Sequence, residues 1–177
     1  TVSANKITDN NGIDMWNSTN NGYGIVLVSS SQNVVSENIA SNSIKDGIRL
    51  ETSAGNKISG NDLTSNQNGI QVLSSSNNKV TGNTITNNGD FGIKLVSSSD
   101  NTISGNNIKN NNEGLGLNSS SNNDVFSNTV SNNIDCGLRF DFLSNDNRLF
   151  GNNITSNGYG VWFGGSTNNA VFQNNFV

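Results

Sequence analysis

The sequence has no histidine, no proline, one cysteine and one methionine among its 177 residues. Without histidine, a Ser–His or Cys–His nucleophile pair cannot be assembled. Zinc sites of the Cys/His type and copper sites need soft or imidazole ligands, so the same absence excludes them. No metal site and no cofactor is expected. A single cysteine, Cys136, rules out an internal disulfide. The lack of proline suits a chain whose backbone N–H groups serve as donors in sheet interiors. Cations are scarce as well: 9 Lys and Arg against 13 Asp and Glu leave a net charge of −4. That balance argues against nucleic acid or an anionic membrane surface as a partner, since both attract basic patches. No stretch approaches the roughly 18 apolar residues of a membrane span. No secretory signal is visible, so a mature chain or a segment of something longer is expected.

What is present in quantity is Asn, Ser and Gly, with only 31% hydrophobic and 12% charged residues. Composition alone points to disorder, because little apolar surface is available to offset chain entropy. The spacing of residues points the other way. Glycine followed by an aliphatic residue recurs at Gly24, Gly47, Gly69, Gly92, Gly114, Gly137 and Gly160, in steps of 22 or 23 residues. A second series, Asn-x-(Val/Ile/Leu), falls at Asn33, Asn56, Asn78, Asn101, Asn123, Asn147 and Asn169. Another asparagine follows five residues after each, from Asn38 to Asn174. A disordered chain needs no such register.

Within one unit, Asn78 to Ser99, Val80 and Ile85 are single apolar residues in short polar segments, and Ile93 and Leu95 flank Lys94. This alternation is that of strands, whose side chains point to opposite faces in turn. No segment carries a 3.6-residue apolar stripe long enough for a helix. The expected fold is an all-β, right-handed, single-stranded parallel β-helix spanning residues 1–177 as one domain. It has about seven and a half coils of 22–23 residues, three short strands per coil and asparagine ladders at the corners. Stacked coils lie about 4.8 Å apart. Val35, Ile58, Val80, Ile103, Val125, Leu149 and Val171 then form one interior column. Leu63, Ile85, Ile108, Val130 and Ile154 form another, and the Gly-anchored strands add two more. Asparagine serves this plan twice, by tolerating the left-handed backbone of sharp corners and by pairing its amide between coils. The first unit departs from the pattern, with extra residues around Asp14–Asn17 expected to bulge as a loop. A bulge of one or two residues enters at 142–145, where the step from Asn123 to Asn147 is 24.

The unit Asn-x-Ile-x-x-Asn-x-Ile-x-x-Asn-x-x-Gly-Ile-x-Leu-x-x-Ser resembles the repeat of NosD-like proteins. These sit among the carbohydrate-binding and sugar-hydrolase β-helices of the pectin-lyase type. Asn56-Lys57-Ile58-Ser59-Gly60-Asn61 and Asn78-Lys79-Val80-Thr81-Gly82-Asn83 are good copies, and the likeness runs from about Asn5 to Phe176. The resemblance implies a secreted or cell-surface protein that either acts on polysaccharide or builds surface layers. It does not choose between these, because one fold hosts many activities. The copper role of NosD itself is not carried over, since the ligands are missing.

The outward positions of the Gly-anchored strands form a stripe: Val26, Arg49, Gln71, Lys94, Gly116, Arg139 and Trp162, with Glu51, Asn118 and Asp141 beside it. The resemblance implies that such a face lines a sugar groove. Arg49, Lys94, Arg139, Asp141 and Trp162 are the expected carbohydrate contacts. Trp162 would stack on a ring, the cations would meet uronate carboxylates, and Gly116 would leave a gap for a ring. No catalytic residue is assigned. Glu51 and Asp141 lie four coils apart, about 19 Å, too far for paired carboxyl chemistry. Asp135 has no evident partner within reach. Lys94 and Arg139 lie about 10 Å apart.

A second outward column changes from Ser36, Ser59, Thr81 and Ser104 to Phe126, Phe150 and Phe172. Three adjacent aromatic rings there are expected to form a partner surface. Asn17, Asn118 and Asn153 open Asn-x-Ser/Thr sequons at a loop or at outward positions, where a glycan fits. No cap is visible at either end of the solenoid, so its partners are expected to be adjoining coils or further copies of the chain stacked end to end. The function expected first is therefore an extracellular or cell-surface structural protein: a scaffold, an adhesive or a self-assembling unit that also binds polysaccharide along the stripe. The alternative is a lyase, glycoside hydrolase or epimerase of the pectin-lyase type.

Overall fold

The structure, a computed structural model, describes residues 1–8 and 22–177. The expected loop around 14–17 and the sequon at Asn17 lie outside the described residues.

The described chain is built of strands and turns and contains no helix. Three parallel sheets run the length of the solenoid, with eight, eight and seven strands. Each strand pairs only with its equivalents one coil before and one coil after. The first sheet stacks the Asn-x-aliphatic strands, with Val80 level with Ile58 and Ile103. The second stacks the strands that follow, with Ile85 level with Leu63 and Ile108. The third stacks the Gly-anchored strands and carries the stripe. The columns predicted from the sequence form one continuous core, from Ile25 and Leu27 to Leu149 and Ile154. In three-residue strands such as Lys57–Ser59 only the central side chain points inward, so one aliphatic residue per strand suffices. On the last coil of the stack Val171 and Phe176 are about half exposed.

The asparagines divide their labour differently from the sequence expectation. Every ladder asparagine is preceded by the residue that makes the left-handed turn: Gly105 before Asn106, Asn77 before Asn78, Asn110 before Asn111. The ladder asparagine itself keeps an ordinary backbone. The reason is geometric. Its N–H and its amide must both point along the solenoid axis, so the turn is completed one residue earlier. Asn106 shows the arrangement. Its backbone N and Nδ2 both donate to Oδ1 of Asn128, at 2.9 Å each. Its own Oδ1 accepts the same pair from Asn83, at 3.0 and 2.9 Å. The second Nδ2 hydrogen goes to the Val80 carbonyl at 2.9 Å. Among the described residues, three such asparagine ladders and one serine ladder, Ser53-Ser75-Ser98-Ser120-Ser144, run through the interior. Buried polar atoms are thereby paired where burial without partners would be costly.

The recurrent glycines have a steric cause. At Gly69, Gly92 and Gly137 a Cβ would lie 2.6–2.8 Å from the backbone carbonyl oxygen of the next coil's glycine. None of the three has a positive φ, so close approach of the chains, and not turn geometry, selects glycine there.

Candidate active site on the third sheet

The whole stripe occupies one ladder position. Val26, Arg49, Gln71, Lys94, Gly116, Arg139 and Trp162 follow one another in register up the outer face of the third sheet. Asn118 and Asp141 lie level with each other in the neighbouring row. The structure thus aligns all five expected carbohydrate contacts on one face.

The cations are not free, however. Arg49 pairs with Asp46 at 3.3 Å and Glu51 at 3.1 Å, and donates to Gln71. Lys94 lies 3.4 Å from Asp90 and 4.4 Å from the centroid of the Phe91 ring. Arg139 holds Asp141 through Nε, and Nη1 lies 3.0 Å from Glu113 and 3.7 Å from Asp135. A uronate carboxylate would have to exchange with these partners. The gap expected over Gly116 is also filled. The Phe91 ring lies where a Cβ on Gly116 would be, so this chain's own aromatic side chain takes the space.

The Arg139 cluster brings together carboxyls that sequence spacing left apart. Glu113 comes from the coil before, level with Phe91 on its other side. Asp135 and Asp141 flank Arg139 in its own coil. Glu113 was not anticipated, although a signal existed. The residues just before the repeating glycines are Tyr23, Asp46, Asn68, Phe91, Glu113, Cys136 and Tyr159. This column changes identity at every coil while its neighbours repeat, which marks a position freed from the demands of the core.

Glu113 is 7% exposed, and its Oε2 is buried with no hydrogen-bond partner. Burial pushes its pKa above the ordinary glutamate range. Arg139 opposes this, while Asp135 and Asp90 reinforce it. The Asp141 hydrogen bond raises the pKa of Arg139, so the guanidinium is firmly charged. Burial, together with Asp135 and Glu113, pushes the Cys136 thiol up to about 11, so it stays protonated and inert. Ligand atoms of Glu113, Asp135 and Cys136 lie within 4.8 Å of one another, the arrangement among the described residues that could hold a metal ion. Arg139 already supplies the positive charge to both carboxylates of that group.

Arg139 lines two clefts. One, of 250 Å³, is lined by Phe91, Lys94, Glu113, Arg139, Asp141 and Phe142 among others. The other, of 210 Å³, is lined by Asp135, Cys136, Arg139, Tyr159 and Trp162. Trp162 is 43% exposed and meets Tyr159 edge-on at 5.6 Å. The first cleft therefore joins aromatic walls to a buried carboxyl and two cations.

Glu113 also has a consequence for stability. An acid with a raised folded-state pKa contributes stability that is complete below its unfolded value, about pH 4. That contribution is lost as pH rises through the raised value. The melting temperature of Glu113→Gln relative to wild type is therefore expected to climb between about pH 4 and pH 7. A constant difference across that range would show that Glu113 titrates as an ordinary carboxyl.

The other two predicted surfaces lie elsewhere. Phe126, Phe150 and Phe172 do point outward from the first sheet. They stack on one another with centroids 4.9 and 5.1 Å apart and planes within 10°. This stacking half-buries Phe126 and Phe150, while Phe172 stays 41% exposed. Asn118 is half-buried beside the first cleft, and Asn153 is exposed on the second sheet.

The outline is that of a parallel β-helix with a charged, aromatic-walled cleft on one sheet. The chain belongs to the family described as the right-handed β-helix region, whose model matches residues 23–177. Among curated proteins, none matches the sequence. Solved structures of similar fold include a single-site variant of the periplasmic alginate epimerase AlgG (TM-score 0.77, 22% identity). They also include the A-modules of the Azotobacter vinelandii mannuronan C-5 epimerases AlgE6 (TM-score 0.76, 19% identity) and AlgE4 (TM-score 0.71, 17% identity). The matches cover 87–88% of this chain and 47–52% of those, so the chain spans about half the length of the proteins it resembles. These findings correct the first functional expectation. These solved neighbours are epimerases, the kind of enzyme held as the alternative, and so favour that alternative over a structural scaffold. Among the described residues no helix is long and apolar enough to cross a membrane.

Proposed function

We propose that this chain is the core of a polysaccharide-modifying enzyme that inverts uronate residues at C5, working in the cleft between Phe91 and Phe142. The observation that carries the reading is Glu113. It is a buried carboxyl with one unpartnered oxygen and a raised pKa, 3.0 Å from Arg139 in a solvent-open cleft. Inversion breaks the C5–H bond and forms it again on the opposite face, with no net oxidation. The proton at C5 is acidified when the adjacent carboxylate is neutralised, the role given to Arg139 after exchange of one of its own carboxylate partners. Glu113, a stronger base than an ordinary carboxylate, takes the proton. Lys94, which lines the same cleft one coil before Glu113, returns one to the opposite face of the ring. The fold neighbours support the reading because their names give that reaction on alginate or mannuronan. The name of AlgG calls that epimerase periplasmic, which supports a location outside the cytoplasm. Trp162, in the second cleft, serves as a further stacking position for the polymer.

The test is polymannuronate incubated with the full-length protein in heavy water and followed by proton NMR. Wild type is expected to introduce deuterium at C5 and to produce the epimer. Glu113→Gln is expected to lose at least about a hundredfold in rate. Wild-type inactivity, or an unimpaired variant, would overturn the proposal. A second reading rests on the approach of Glu113 and Asp135 carboxyl oxygens to within 4.8 Å. Such a pair suits glycoside hydrolysis. New reducing ends without deuterium at C5 would select it.

A further inference from the structure

The bulge at residues 142–143 breaks the rules of its own solenoid. In the five preceding coils this corner is turned by one left-handed residue, small or hydroxylated: Ser29, Thr52, Ser74, Ser97 and Ser119. Here two consecutive residues are left-handed, Phe142 at φ 48° and Leu143 at φ 63°. Bulky side chains are disfavoured in that region. Both are also exposed, at 66% and 70%. The segment is nonetheless held in the ladder. Phe142 N donates to the Gly164 carbonyl at 3.0 Å and Leu143 N to that of Gly165 at 3.1 Å. Ser119 N donates back to the Phe142 carbonyl at 3.1 Å, and Ser121 Oγ to that of Leu143 at 3.3 Å. A strained, apolar, exposed and anchored corner beside a cleft suggests a functional cause.

Resting on the polysaccharide reading above, we infer that Phe142 is a sugar-stacking lip that seats the apolar face of a pyranose ring in the first cleft. The chemistry of the cleft picks this occupant. Phe91 and Phe142 supply two aromatic walls, and Lys94, Asn118, Arg139 and Asp141 supply donors and acceptors between them. A sugar ring presents the same mixture, with C–H groups on its faces and oxygens at its edges. A protein partner would need a wider apolar surface than one ring and one neighbouring leucine. Phe142 lines the cleft and Leu143 does not, so the two residues are separable.

The experiment is titration calorimetry of oligomannuronate with the full-length protein. It compares wild type with Phe142→Gly, Phe142→Tyr and Leu143→Gly, with thermal melts of each. Glycine adopts the left-handed backbone freely, so both glycine variants are expected to melt no lower than wild type. Phe142→Gly should bind about tenfold more weakly. Phe142→Tyr should bind as wild type does, and so should Leu143→Gly. Unchanged affinity in Phe142→Gly, with wild type still binding, would overturn the lip alone. Equal losses in both glycine variants would point to the backbone of the bulge and not to the ring, and would overturn it too. Absence of binding by wild type would remove the lip together with the proposed function.

Discussion

Asn106→Ala is expected to lower folding stability by about 3–5 kcal/mol, read as a shifted midpoint in chemical denaturation. The side chain sits in the middle of an eight-residue ladder from Asn5 to Asn174 and is 1% exposed. Its removal leaves the N–H and one amide hydrogen of Asn83 without their acceptor, and the Val80 carbonyl without one donor. Each orphaned buried group costs on the order of 1–3 kcal/mol. Only a small void opens, with polar walls, so recovery by apolar repacking is not available. Asn106→Asp sharpens the test. A carboxylate can accept from Asn83 but cannot donate to Asn128 or Val80. The loss should exceed that of alanine at neutral pH and shrink in acid, as burial favours the protonated form. A loss below about 1 kcal/mol in Asn106→Ala would mean that water replaces the amide and that the ladder is not a main support.

Gly92→Ala should be nearly as damaging, at about 3 kcal/mol. A methyl carbon there would lie 2.6 Å from the Gly114 carbonyl oxygen, 2.5 Å from Ile108 Cγ2 and 3.0 Å from Asn111 Nδ2. None of these can withdraw easily. The Gly114 carbonyl is backbone, Ile108 is fully buried, and Asn111 is tied to Asn88 and Asn133. The added carbon can be accommodated only by spreading two coils whose spacing is set by backbone bonds in three sheets. Gly82→Ala is the control, because a Cβ there meets nothing within 4 Å. Its φ of +65° still makes it mildly unfavourable. If Gly92→Ala melts no lower than Gly82→Ala, close packing of the coils is not what selects the glycine column.

Much of this molecule was legible in one dimension, for a reason particular to solenoids. Each coil touches only its neighbours, so a period of 22–23 residues in the sequence is directly a contact in space. Ile58, Val80 and Ile103 could be placed in one column from spacing alone, and the structure has them in register. The stripe from Arg49 to Trp162 followed from alternation in the same way. A bulge of one or two residues at 142–145 was visible as a step of 24. The division of the asparagine pairs, one turning and the next pairing, was not, because both residues are the same letter.

The site was legible only in part. Register says which side chains share a face. It does not say where long side chains end. Arg139 reaches across to Glu113 in the preceding coil and back to Asp135 and Asp141 in its own. Those contacts depend on rotamers and on what is desolvated around them. Phe91 likewise leans over Gly116 from a different row and fills a space that the sequence showed as empty. The coil, its core columns, its ladders and the face that carries charge could all be read from the order of residues, because they follow from backbone periodicity repeated coil after coil. The convergence of three carboxyls on one guanidinium, and the burial of Glu113 with a free oxygen, emerge only in three dimensions, because side-chain reach and burial across coils are not periodic quantities.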